Sequence, residues 1–135
     1  MAGITLHPGD GQVLMDSLSR NPANPFTVNS DDFWLPRSGG VIITIDVTDV
    51  SGGGSITALR VMNKSGSNYD KVIEFTGLAI NAAGRYAFLI APGATAASNW
   101  KGKAETLPPT EGRLQVVHTD ANPLTYSVSL QCVKA

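Results

Sequence analysis

The alternation in LTYSVSLQCV, residues 124–133, constrains this chain more than any other stretch. Tyr126, Val128, Leu130 and Cys132 fall on one side of an extended backbone, with Thr125, Ser127, Ser129 and Gln131 on the other. Successive side chains of a strand point to opposite faces, so one apolar set at a period of two reads as a strand half-buried against a core. The same period runs through VIITIDVTDV, where Val41, Ile43, Ile45 and Val47 oppose Ile42, Thr44, Asp46 and Thr48. SITALRVMNK sets Thr57, Leu59 and Val61 against Ile56, Ala58, Arg60 and Met62. DKVIEFTGL, RYAFLIAPG and EGRLQVVHT complete the set.

Turn chemistry separates these runs. SGGGS reads as a flexible hairpin tip, SGSN as a second turn, LAINAAG as a reversal, and DANP as the break before the last strand. Short alternating strands at this spacing predict an all-β chain: a single antiparallel β-sandwich of about seven or eight strands. Jelly-roll and Ig-like connections fit it equally well. The β-sandwich domain spans residues 40–135. Residues 91–112, APGATAASNWKGKAETLPPTEG, carry no such pattern; the Ala-rich part could give a short helical turn across one end.

Residues 1–39 differ. HPGDG, NPANP and LPRSGG are turn-forming, and GQVLMDSLSR between them reads as an arm segment or a single helical turn. The region is expected to be an N-terminal extended arm plus an edge segment, laid on the domain or on a neighbouring subunit. Folding back onto its own core is the other disposition open to it.

A length of 135 residues gives one domain with a proper core. Hydrophobic residues make up 42% and charged residues only 16%, which leaves more neutral surface than a lone monomer needs. The net charge is -1, and no run concentrates Lys or Arg, so phosphate neutralisation and nucleic-acid binding are not expected. No basic amphipathic helix and no spanning apolar stretch points to a membrane. MAGITLHPGDG lacks the basic and long apolar segments of a secretory signal. A single cysteine, Cys132, allows no intrachain disulfide and fits synthesis in a reducing cytoplasm.

No set of residues converges on a reaction, and no cofactor is implied. His7, His118 and Cys132 do not supply zinc spacing. Cys132 reads as a small core hydrophobe, with His118 the sole base that could serve it. Asp46 and Asp49, like Asp31 and Asp32, lack a calcium loop around them. Glu74, Glu105 and Glu111 lie on separate elements, and no P-loop, dinucleotide fingerprint or nucleophile elbow is present. Trp34, Trp100, Tyr69 and Tyr86 are scattered over different elements, which favours separate core or interface anchors over a sugar-stacking platform. Phe26, Phe33, Trp34 and Trp100 are the candidates for a partner interface, because large aromatics dominate interface energetics.

The blocks ITALRVMNKSGSNYDKVIEF, INAAGRYAFLIAPGATAASN and LQVVHTDANPLTYSVSLQC bring a resemblance. Their order is similar to that of small tailed-bacteriophage proteins encoded among head and tail structural genes. The steps fall at Val47 to Val50, Ala82 to Gly84, Pro92 to Ala97, His118 to Asp120 and Thr125 to Val128. The resemblance covers roughly residues 40–133 and leaves the first 40 without a counterpart. It implies a virion component on the capsid exterior: a capsid decoration or cement protein, made in the host bacterial cytoplasm. Its partners would be the major capsid protein and copies of itself, as a trimer, with no catalytic residue to carry over. A tail, collar or baseplate subunit, or a glycan-binding host-attachment module, are the alternatives.

Overall fold

The structure, a computed structural model, describes residues 4–5, 11–35, 39–92 and 100–133. Strands β5 (Gly40–Asp49) and β11 (Leu124–Val133) pair antiparallel, with Val41, Ile43, Ile45 and Val47 on the buried side facing in with Tyr126, Val128 and Leu130. They form the centre of a five-stranded sheet ordered β2 (Gly11–Arg20), β11, β5, β8 (Gly84–Ile90) and β9 (Gly102–Ala104). The second sheet runs β1 (Ile4–Thr5), β4 (Phe33–Trp34), β10 (Glu111–His118), β6 (Ile56–Ser65) and β7 (Asn68–Phe75). Strand β3 (Thr27–Asn29) also pairs with β10, beside β4.

Inward side chains of both sheets form one apolar cluster, with Phe75 and Phe88 ring centroids 5.1 Å apart from opposite sheets. Burying each such side chain is worth about 1.5–3 kcal/mol relative to leaving it exposed. The chain is all-β over the described residues, as the alternation predicts. Two expectations change. The described residues form eleven strands, more than alternation predicts, because β1, β3, β4 and β9 are too short for a period of two to register. The β1–β4 and β8–β9 pairs are parallel, so both sheets are mixed instead of wholly antiparallel.

In β6 the sequence period breaks. Ile56 and Ala58 are buried, and so are Leu59 and Val61. The register against β10 shifts where Val117 and His118 face Ala58 and Ile56 in turn. Thr57 is therefore the extra residue of a β-bulge, and the bulge returns Ile56 to the core.

SGGGS is not a hairpin tip, because β5 and β6 belong to different sheets. A Cβ on Gly52 would lie 2.5 Å from Pro123 Cδ, and one on Gly54 would lie 2.7 Å from the Asn122 carbonyl oxygen. The loop is pressed against the turn joining β10 to β11. There the Ser55 and Thr119 hydroxyls sit 2.6 Å apart, and the Thr119 N–H donates to the Ser55 carbonyl at 3.0 Å. Close backbone approach, not flexibility, demands these glycines. The expected turn at SGSN does form a hairpin, between β6 and β7, with Gly66 at φ 63.

The N-terminal region supplies core. GQVLMDSLSR forms the ten-residue edge strand β2 in place of a helical turn. Two register shifts against β11 put the adjacent residues Leu14 and Met15 both inside, which is why its apolar spacing hides the strand. Phe33 and Leu35 are buried on the other sheet, and Ser30 stitches the chain to β10 by accepting from the Leu114 N–H at 2.8 Å. Residues 11–35 thus fold back onto their own core. His7 and the Ala-rich segment 93–99, where a helical turn was expected, lie outside the described residues. No helix among the described residues is long and apolar enough to cross a membrane.

Candidate assembly surfaces

The two sheets turn chemically opposite faces outward. On the five-stranded sheet the outward positions of neighbouring strands line up in rows set by register. One row is Val13, Ser129, Thr44 and Ala87; the next is Gly11, Gln131, Ile42 and Leu89, ending at Lys103 on the edge strand. Among the described residues, ionisable groups on these rows are Lys103 at that edge, Asp46 between Ser127 and Arg85 in the third row, and Asp49 opposite Thr125 in the fourth. The centre of this face is therefore hydroxyl, amide and aliphatic. Val13, at the end of the first row, is 46% exposed.

The outer face of the six-stranded sheet is a hydrogen-bonded plate of charges. Gln115 donates to Asn29 Oδ1 at 2.9 Å, and Arg60 donates to Gln115 Oε1 at 2.9 Å and to Glu74 Oε2 at 2.7 Å. Lys71 reaches the other oxygen of Glu74 at 3.0 Å. Hydrogen bonds from Arg60 and Lys71 hold the Glu74 carboxyl below its ordinary range. Lys64 and Tyr69 both donate to Asp32, and that bond raises the Lys64 ammonium above its ordinary value.

One polar cluster lies inside. His118 and Tyr126, from opposite sheets, are both buried, with Nε2 and Oη 2.7 Å apart. The Arg20 guanidinium carbon sits 4.7 Å from the Tyr126 ring centroid, and its nitrogens donate to the main-chain carbonyls of Asp16, Leu18 and Tyr126. Arg20 thereby satisfies carbonyls where β2 departs from regular pairing. Burial pushes the His118 imidazole below its ordinary value, helped by the nearby Arg20 charge, and pushes the Tyr126 phenol well up. His118 Nδ1 has no hydrogen-bond partner.

The residues singled out in the sequence are dispersed. Phe33 is 1% exposed and belongs to the core. Phe26 is half-buried at a positive φ of 62°, with its carbonyl accepting from the His118 N–H at 2.8 Å. Trp34 pairs with Glu111 at the opposite end of β10 and is 48% exposed. Trp100 precedes β9, on the other sheet, and is half-buried. Of the scattered aromatics, Trp34 and Tyr69 share the charged outer face, while Tyr86 and Trp100 belong with the five-stranded sheet.

Cys132 and His118 are not brought together. Cys132 sits six positions along β11 from the residue His118 touches, about 20 Å at strand rise. Asp49 accepts from the Ser51 N–H at 3.0 Å, capping a turn. No group of three or more His, Cys, Asp or Glu that could hold a metal ion occurs among the described residues.

Sequence reasoning missed Arg20 and Arg113. The signal available was weak: Arg113 is an isolated cation in apolar alternation and Arg20 ends a strand whose alternation is broken, and only the fold shows what each lies against. Compared with known protein families, curated proteins and solved structures, the chain matches none.

Proposed function

We propose that this chain is a bacteriophage capsid decoration protein, a trimeric β-sandwich that binds the outer surface of the major capsid shell and cements its subunits. The outer face of the five-stranded sheet, whose first two rows carry no ionisable group before the edge strand, supports the reading. Docking a charged face strips water from ions and costs several kcal/mol per ion unless each finds a partner. The two rows of Val13, Ser129, Thr44 and Ala87 and of Gln131, Ile42 and Leu89 avoid that cost and return roughly 25 cal/mol for each Å² of apolar surface covered. A stable interface needs only about 800 Å² per partner, and a symmetric shell multiplies one modest contact over many sites. Adhesion is then the whole activity, and no bond is made or broken. That the partner is a phage shell rests on the resemblance of residues 40–133 to small phage head and tail structural proteins.

The test is add-back. Particles lacking this chain are mixed with the purified protein, and binding and heat resistance are followed together. Saturable binding that raises the temperature of genome release is the expected result, because a ligand of the assembled state stabilises it. Absence of binding overturns the proposal.

A further inference from the structure

Among the described residues of the charged outer face, every hydrogen-bonding cation has an acceptor except one. Arg113 stands on β10 opposite Met62, inside the lattice formed by Gln115, Arg60, Glu74, Lys71, Lys64 and Asp32. Its guanidinium carbon lies 3.6 Å from the Tyr69 ring centroid, which is stacking distance. Its Nε is shut away from water with no partner, and no acceptor contacts the group among the described residues. Arg85, on the other sheet, is exposed by comparison. Arg113 is half-buried and held in place, so its remaining donors are already ordered.

The local charge points the same way. Among the described residues, Arg60, Lys64, Lys71 and Arg113 supply four cations on this face against the three carboxylates of Asp32, Glu74 and Glu111, although the whole chain is at -1. One monoanion balances the excess, and a carboxylate matches a guanidinium fork. Trp34 pairs with Glu111, two positions before Arg113 on the same side of β10, about 7 Å along the strand. Trp, Tyr and Arg are the residue types that anchor protein interfaces, and here one of each shares an open sheet face. An open face gives a small carboxylic acid no walls, whereas a partner protein brings apolar area for Trp34.

We propose that Arg113, stacked on Tyr69 and flanked by Trp34, is the docking point for an acidic side chain of a partner protein. The carboxylate accepts from the ordered Arg113 donors while apolar groups beside it cover the indole. The face belongs to the other sheet from the one with the uncharged rows, so the site stands whether or not that sheet binds a shell.

The test uses the full chain and three probes at constant ionic strength: a capped Leu-Glu-Leu-Glu-Leu peptide, its Gln counterpart, and sodium acetate at matched carboxylate. Side-chain N–H signals of Arg113, Arg85 and the Trp34 indole are followed by NMR. The Glu peptide is expected to shift Arg113 and Trp34 together, reaching half-saturation at about fivefold lower concentration than for Arg85. The Gln peptide and acetate should leave Trp34 in place. Arg113→Gln should abolish the Trp34 response, and Arg113→Lys should weaken it. Equal responses of Arg113 and Arg85, saturation by acetate alone, or a Trp34 response that survives Arg113→Gln would each overturn the proposal. Should Arg113→Gln fail to fold, the wild-type comparison of Arg113 with Arg85 decides alone.

Discussion

His118 on β10 and Tyr126 on β11 join the two sheets through a polar contact of 2.7 Å inside a largely apolar core. Both side chains point inward because each falls on the apolar phase of its strand, His118 after Leu114 and Val116, and Tyr126 after Leu124. A buried polar group must be paired or it costs its full desolvation. Here each supplies the other.

Removing the phenol oxygen leaves His118 with neither ring nitrogen bonded. Tyr126→Phe is expected to destabilise the fold by about 1–3 kcal/mol, read as a lower urea midpoint at unchanged slope. Adding His118→Phe to it should cost less than the sum of the two single changes, because the two residues share one interaction. An additive double variant would show that the contact contributes nothing.

The burial of His118 makes stability depend on pH. His118 is held below its ordinary value by burial and then by Arg20, so the folded chain keeps it neutral while the unfolded chain takes up a proton below about pH 6.5. More protons bound in the unfolded state means stability that is full above that pH and declines beneath it. Urea midpoints should be level between pH 8 and 7 and fall by pH 5.5, and His118→Gln should flatten the profile. Glu74, held low by Arg60 and Lys71, contributes its own loss only as pH falls through and below the carboxylate range, so pH 5.5 isolates the histidine.

The β5–β6 loop gives a third expectation. Gly54→Ala forces a Cβ to within 2.7 Å of the Asn122 carbonyl, and the backbone must shift to admit it. A loss of about 1–3 kcal/mol is expected, measured by chemical denaturation. Gly53 has open space around its Cβ position but a φ of 75°, so Gly53→Asn should cost little. Equal tolerance at both positions would mean that the loop is slack.

For the outer face of the five-stranded sheet, Thr44→Arg places a cation at the centre of an uncharged row, between Ser129 and Ala87. Thermal stability should stay within about 0.5 kcal/mol of the original, as for a surface change, while binding to particles is lost. Retained binding would move the docking surface elsewhere.

Most of the core was legible in the sequence. The alternation in β5 and β11 names Val41, Ile43, Ile45, Val47, Tyr126, Val128, Leu130 and Cys132, and all are buried. Where strands bulge, the period misleads: Thr57 shifts the phase of β6, and paired shifts in β2 place Leu14 and Met15 side by side in the core. Phe33 looks like an interface anchor in the sequence because burial on a two-residue strand leaves no periodic trace. The surfaces were the least legible. Which outward residues share a row depends on strand order and register, and those are set by long-range pairing such as Val13 with Ser129 and Thr44 with Ala87.

The most direct measurement of the account is the number of copies of this chain on purified particles, determined by quantitative mass spectrometry. A decoration protein that acts by covering subunit junctions is predicted to be present on the same order as the major capsid protein. Absence from mature particles, or presence in only a few copies, would contradict it.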